Sequence, residues 1–296
     1  MKDQRRAYLF GLTAVLLWST MASAFKLSLR YLTPAELLLH AVLTSSVVLF
    51  VLLLIQGKLP LLKAVTWQHI RPSIGFGLLN PVLYYLVLLK AYDLLPAQQA
   101  QPINYTWAIT LSLLSIPLLK QQISRRELVA VFISYLGVVV ISTRGDLLGL
   151  HFDDPLGVAL ALISTVFWAL YWIYNTRDDR DPVLGLLLNF LCGAPMIFVY
   201  ILLTEGLRIP PLPGLLGATY VGLFEMGLTF VLWLQAMKLS VNSARIANLI
   251  FISPFLSLFF IYFLVGEKIL PSTLLGLVLI ICGLVVQQWQ GRAKLP

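Results

Sequence analysis

The sequence predicts an all-α polytopic membrane protein: about ten transmembrane helices in two five-helix inverted repeats. Three observations predict it. The chain is 59% hydrophobic and 11% charged, with a mean hydropathy of +0.88 over 296 residues, whereas a soluble protein carries about 25% charged residues. The apolar residues gather into runs near the roughly 20 residues that span a bilayer. The pattern of the first five runs then returns in the second five. Five is odd, so the second copy enters the membrane from the opposite side.

The runs follow one another with only short loops between them. The first is Tyr8 to Phe25, after a basic N-terminal segment, and the second is Pro34 to Gln56. Ile70 to Leu89, Ala97 to Leu118 and Leu128 to Thr143 complete the first copy. Pro155 to Tyr174 and Pro182 to Thr204 open the second copy. Leu212 to Met237, Ser243 to Val265 and Ser272 to Trp289 complete the second. The two repeats are expected at 7–144 and 155–290, with no attached soluble domain.

Lys and Arg set the expected orientation. The side holding the N-terminus and the even-numbered connections carries 15 of the 21, among them Lys2, Arg5, Lys58, Arg71, Lys120, Arg177, Arg180, Arg245, Arg292 and Lys294. Lys26, Arg30, Lys90, Arg144, Arg208 and Lys268 are the other six. Both termini are therefore expected in the cytoplasm, the chain lying in a bacterial inner membrane. The net charge of +8 reflects this topology and contact with anionic lipids. Scattered short loops form no basic face, which argues against a nucleic-acid partner. The basic start, apolar run and Ala22-Ser23-Ala24 imitate a cleaved signal peptide, but cleavage would leave the sixth span without its counterpart. Cys192 and Cys282, both inside spans, are expected to be small buried packing residues.

The repeat is visible in register. At an offset of 150, Trp18 falls on Trp168 and Arg30 on Arg180; at 145, Ala91 falls on Ala236 and Leu94 on Leu239. At 146, Gln121 falls on Glu267, Ile123 on Ile269, Ala130 on Gly276 and Gly137 on Gly283. Loop-length differences account for the drift.

These features, with an early Trp in the first helix of each copy, Ala-x-x-Leu ending the third, and Gly266-Glu267-Lys268 before a Gly-rich last helix, resemble the EamA branch of the drug/metabolite transporter superfamily. The resemblance covers about Tyr8 to Gln288. It implies export of small metabolites, amino acids among them, through a central cavity open to one side at a time. Within the family the aromatic-rich sequence looks most like aromatic amino acid exporters of the YddG type. The first copy has Lys120-Gln121 where the family has Gly-Glu, so Glu267 is expected to cap or anchor a helix end.

Polar groups within hydrocarbon are costly and tend to face a cavity or another helix. Glu225 is the one acidic residue deep inside a span. It suits a proton-coupling carboxyl or a receiver for a substrate ammonium, and equally a carboxyl hydrogen-bonded to a neighbouring helix. His40, with Thr44 one turn on, is either a proton switch or a helix contact. The third span carries Asn80, Tyr84 and Tyr85; the fourth carries Gln98, Gln101, Asn104, Tyr105 and Trp107; the sixth carries Trp168, Trp172 and Asn175. Such stripes could line a cavity for an amphiphilic ligand or pack between helices. Trp67, Tyr31 and Trp289 belong to interfacial belts. Pro81, Pro102, Pro195 and Pro254 either kink helices or free carbonyls for a site. Arg245, near Asn248, could meet a carboxylate or simply snorkel. Gly75, Gly77, Gly214, Gly217, Gly222 and Gly227 are expected to permit close helix approach.

Nucleotide-binding and enzyme motifs are absent, so neither an ATP-driven motor nor an intramembrane enzyme is expected. A structural or receptor-like membrane protein would not need the polar stripes. The expected protein is a secondary transporter with no cofactor and no metal. Its partners are a small-molecule substrate and membrane lipids, with no obligate protein partner. A lipid or lipid-linked sugar flippase of the same architecture is the alternative.

Overall fold

The computed structural model describes residues 3–120, 125–149, 152, 154–175, 177–240, 246 and 248–288. Lys2, Gln121, Ile123, Arg245, Trp289, Arg292 and Lys294 lie outside the described residues, as does the side chain of Asn248. All regular structure among the described residues is helical. Seven helices are long and apolar enough to cross a membrane: α1 (Gln4–Ser28), α2 (Pro34–Ile55), α3 (Trp67–Leu94), α4 (Ala97–Leu119), α6 (Pro155–Asn175), α7 (Pro182–Thr204) and α8 (Leu212–Met237). Three others have shorter apolar stretches: α5 (Arg125–Ser142), α9 (Leu249–Val265) and α10 (Pro271–Gln288). The chain is thus an all-helical, multi-spanning bundle.

Local sequence explains the helix starts. At α2, Thr33 and Glu36 form a reciprocal capping box ahead of the Pro34 turn. At α7, the Asp181 carboxylate accepts from the N–H groups of Val183 and Leu184, with Pro182 at the first position. Each cap is tied to the opposite half. Lys58 Nζ lies 2.6 Å from Asp181, and Arg208 grips Glu36 through two 2.5 Å contacts. These pairs pin α2 against α7 at both ends.

The packing has internal symmetry. The main helix pairs are α5–α10, α2–α7, α1–α8 with α6–α3, α2–α8 with α7–α3, and α6–α4 with α1–α9. Exchanging α1–α5 for α6–α10 returns the same set. Glycines make the close crossings. A Cβ at Gly137 would lie 2.5 Å from the Gly276 carbonyl oxygen, and one at Gly276 would lie 2.6 Å from that of Gly137. Gly283 meets Ala130 and Ser134, so α5 and α10 run antiparallel. Gly77 backs onto the Asn189 carbonyl of α7, as Gly222 backs onto the Ala41 carbonyl of α2. Gly214 and Gly217 press on Leu32 and Ser28. Gly75 departs from expectation, with nothing near it.

Several helices are interrupted. α1 breaks at Thr20. α3 breaks at Asn80, which has extended dihedrals (φ −145°, ψ 110°) before a cis bond to Pro81. α4 breaks at Tyr105–Thr106. α8 breaks between Phe224 and Leu228, and α9 opens with a 3₁₀ turn before Pro254. Pro195, by contrast, sits within an unbroken α7. The cysteines correct the sequence expectation: both are free, but Cys192 is only half-buried and Cys282 is exposed. On a helix face turned toward lipid, apolar character does not entail burial in protein.

Candidate functional site

A cavity of about 790 Å³ lies between the halves. Its deep end is walled by Phe25 and Tyr92, whose rings meet edge to face at 5.3 Å. Its other end reaches Asp178 and Arg180 in the α6–α7 connection. It therefore opens toward the side that holds the even-numbered connections.

Beyond Phe25 and Tyr92 the opposite side is closed by hydrogen bonds. Lys26 Nζ donates to the Tyr92 and Leu95 carbonyls at 2.7 and 2.8 Å. The Glu267 carboxylate accepts from the Ala97 and Gln98 N–H groups at 2.8 and 3.1 Å. It thereby caps α4, as the sequence suggested. Gln98 completes the seal: its Nε2 donates to the Lys268 carbonyl, and its Oε1 accepts from Leu270 N–H and Thr273 Oγ1. An amide and a carboxylate thus stitch the starts of α4 and α10 together.

Inside, aromatic rings form two groups. Trp168 stacks on Tyr84 at 4.5 Å and on Tyr171 at 5.8 Å, with Trp172 and Trp107 edge-on. Trp18 faces Phe230 and Trp233 at 5.9 and 5.5 Å. Polar groups are few. Tyr85 Oη donates to Glu225 Oε1 at 3.1 Å. Asn104 accepts from Tyr84 Oη at 3.4 Å and donates to Ser164 at 3.0 Å. Gln101 Oε1 and Trp172 Nε1 are buried with no partner among the described residues.

The breaks in α3 and α8 coincide in the repeat. At the 145 offset that matches Ala91 to Ala236, Asn80 falls on Glu225. Each half thus interrupts its third helix at a polar residue. Paired interruptions in corresponding helices are the feature that most often marks a transporter's site. Only α3 announces its break with a proline. In α8 the change falls at Gly227 (φ −115°, ψ −94°).

Arg180 governs the mouth. Its guanidinium holds Asp178 at 2.7 Å and donates to the His69 carbonyl, Ser73 Oγ and Asn189 Oδ1. Although burial opposes ionisation, Arg180 holds the Asp178 carboxyl below the usual carboxylate value. Arg180 also lies over the Phe76 ring at 5.7 Å.

The sequence model of the EamA-like transporter family matches residues 5–143 and again 155–287. The chain belongs to the EamA-like transporter family. Its relatives include the uncharacterized transporter YoaV of Bacillus subtilis (strain 168), 20% identical over 92% of this chain and 93% of its own. An uncharacterized transporter of Archaeoglobus fulgidus is 23% identical over 92% and 95%. Protein PecM of Dickeya dadantii (strain 3937) is 23% identical over 72% and 71%. A solved crystal structure, 23% identical, covers 98% of this chain and 99% of its own at a TM-score of 0.67, which establishes the fold alone.

As an EamA-like protein the chain belongs among transporters and is not an enzyme. Among the described residues, no group of three His, Cys, Asp or Glu side chains is placed to hold a metal. Of the residues singled out from sequence, Trp18, Tyr84, Gln101, Asn104, Tyr105, Trp107, Trp168, Trp172 and Glu225 line the cavity. Tyr85 stands behind Glu225. Asn80 is buried outside the lining, in the α3 break. His40 is not brought to the cavity: its Nδ1 bonds the Glu36 carbonyl one turn back along α2. Arg180, Asp178 and Phe230 were missed. The 150 offset pairing Arg180 with Arg30 was an available signal for the arginine.

Proposed function

We propose that this EamA-like protein is a secondary transporter that exports small amphiphilic metabolites, amino acids and especially aromatic ones, by alternating access through the central cavity. The observation that carries the reading is the cavity itself. It is walled by stacked rings with a few polar groups, reaches the α6–α7 side, and is shut on the other by the Gln98–Glu267 stitch. That is one half of an alternating-access cycle.

The proposed frame is ten spans in two inverted five-helix repeats, at 7–144 and 155–290. Three facts support it: the family model matches twice, the helix pairs survive exchange of halves, and α5 meets α10 antiparallel. A twofold that relates two antiparallel neighbours runs perpendicular to both. For membrane-spanning helices such an axis lies in the membrane plane. The Lys and Arg bias supports cytoplasmic termini; with that orientation the open side faces inward, as export requires at the loading stage. A bacterial inner membrane suits these features. Similarity to the YddG type of exporter is part of this proposal.

Purified protein in liposomes tests it. Aromatic amino acids should exchange across the bilayer faster than through empty liposomes, and Trp168→Ala should slow them at least tenfold. Movement of a lipid-linked species with no amino acid moving would replace this reading with that of a flippase.

A further inference from the structure

Among the described residues, the charges around the cavity offer a zwitterion's ammonium a partner but leave its carboxylate without a free cation. Three charged side chains among the described residues line it: Asp178, Arg180 and Glu225. Asp178 and Arg180 face each other and cancel. The five N–H groups of the Arg180 guanidinium are taken up by six contacts, three to Asp178 and one each to His69, Ser73 and Asn189. A ligand carboxylate finds no free guanidinium N–H there, and it would also approach Asp178.

Glu225 is different. Its hydrogen bond comes from a neutral donor, Tyr85 Oη, and no ion pair among the described residues includes it. It sits where α8 is interrupted. The carbonyl end of Leu212–Phe224 and the amide end of Leu228–Leu239 oppose each other there, so the carboxylate decides the sign. An intramembrane carboxylate requires a counter-charge or close hydrogen bonding. Rings lead away from it. Tyr85 lies 4.6 Å from Tyr84, which stacks 4.5 Å from Trp168. A carboxylate beside ring faces suits a cation attached to an aromatic body.

We infer that this site recognises an aromatic ammonium: Glu225 receives the cationic nitrogen, the Tyr84–Trp168 stack receives the ring, and among the described residues no unpaired cation is provided for a substrate carboxylate. The inference rests on the transport reading above and narrows it. Aromatic amino acids would bind through their ammonium end alone, so the corresponding amines bind more tightly.

Binding to the detergent-purified protein tests this with four probes sharing one ring: phenethylamine, phenylalanine, 3-phenylpropionate and 2-phenylethanol. Phenethylamine should bind at least tenfold more tightly than 3-phenylpropionate (about 1.4 kcal/mol), with phenylalanine between. Glu225→Gln should weaken phenethylamine at least tenfold and leave 2-phenylethanol within twofold. Tighter binding of phenylpropionate or phenylalanine than of the amine overturns the inference and leaves aromatic transport standing. The wild-type ranking does so without any variant, should Glu225→Gln fold poorly. If none of the four binds, the aromatic reading of the cavity falls with it.

Discussion

Glu267 offers the sharpest test of how the closed side is held. It accepts two backbone N–H groups at the start of α4, at 2.8 and 3.1 Å. Hydrogen bonds to a charged group are worth about 1.5–3 kcal/mol each, and the carboxylate also meets the positive end of the helix. Glu267 is only half-buried, so water replaces part of this when it is lost. A net loss of about 2 kcal/mol is reasonable, which shifts a two-state equilibrium roughly thirtyfold. Glu267→Ala should therefore populate a state in which α4 and the α9–α10 connection separate. Spin labels at Lys90 and Lys268, both exposed on that side, would report the distance after Cys192 and Cys282 are replaced by serine. Wild type should give one short distance, and Glu267→Ala should add a longer one. Glu267→Gln, which keeps an acceptor but loses the charge, should fall between. A distance distribution unchanged in both variants would refute the claim that this cap holds the side shut.

Other perturbations follow from the same geometry. Gly137→Ala should lower thermal stability by about 1–3 kcal/mol, the cost of overpacking, because its Cβ would strike the Gly276 carbonyl; Gly75→Ala, with open space around it, should be neutral or gain up to about 1 kcal/mol from helix propensity. Thermal melts of both variants separate a tight crossing from general glycine intolerance. Asp181 is held below the usual carboxylate value: burial works against this, but Lys58 and the N–H groups of Val183 and Leu184 prevail. A depressed folded value means that stability is present above the ordinary pKa near 3.9 and is lost as pH falls through the lower one. Asp181→Asn should remove that acid-side slope in melts between about pH 5 and 2. Tyr85→Phe, which takes away the hydrogen bond on Glu225, should alter affinity for an aromatic amine severalfold without moving that for 2-phenylethanol.

Hydropathy alone made the spans legible, because a bilayer imposes length and apolarity on every crossing helix. The helix interruptions were less so. Pro81 betrays the one in α3, but α8 has no proline near Glu225, and Gly227 reads like the other glycines of that span, which more often serve packing. The aromatic lining was legible from Trp18, Tyr84 and Trp168, since large rings in mid-span seek either each other or a ligand. His40 was not separable from them by sequence. It satisfies itself on the Glu36 carbonyl within its own helix, a bond that consumes no tertiary partner and so leaves no trace in the pattern. Arg180 read as an ordinary basic loop residue. Its role at the mouth depends on Ser73 and His69, more than a hundred positions away.

Duplication supplies the scaffold, and departures from it supply the chemistry. The paired crossings of Gly77 on α7 and Gly222 on α2 are alike, because two backbones that must approach closely tolerate only hydrogen at that point. The paired interruptions are unlike. Asn80 is neutral, buried and outside the cavity lining. Glu225 carries a carboxyl into the cavity. A perfectly symmetric pair of carboxylates would place two like charges near one midplane, each raising the cost of the other. A pair of amides would give no charge selectivity. One carboxylate in one half is the arrangement that lets a cavity built from twin parts distinguish a cation from an anion. It also means that the two halves need not contribute equally to binding. Moving the charge, with Asn80→Asp in a Glu225→Gln background, should restore little amine affinity, since Asn80 does not face the cavity. Restoration to within twofold of wild type in the four-probe assay would show that the halves are interchangeable and that Glu225 has no privileged position.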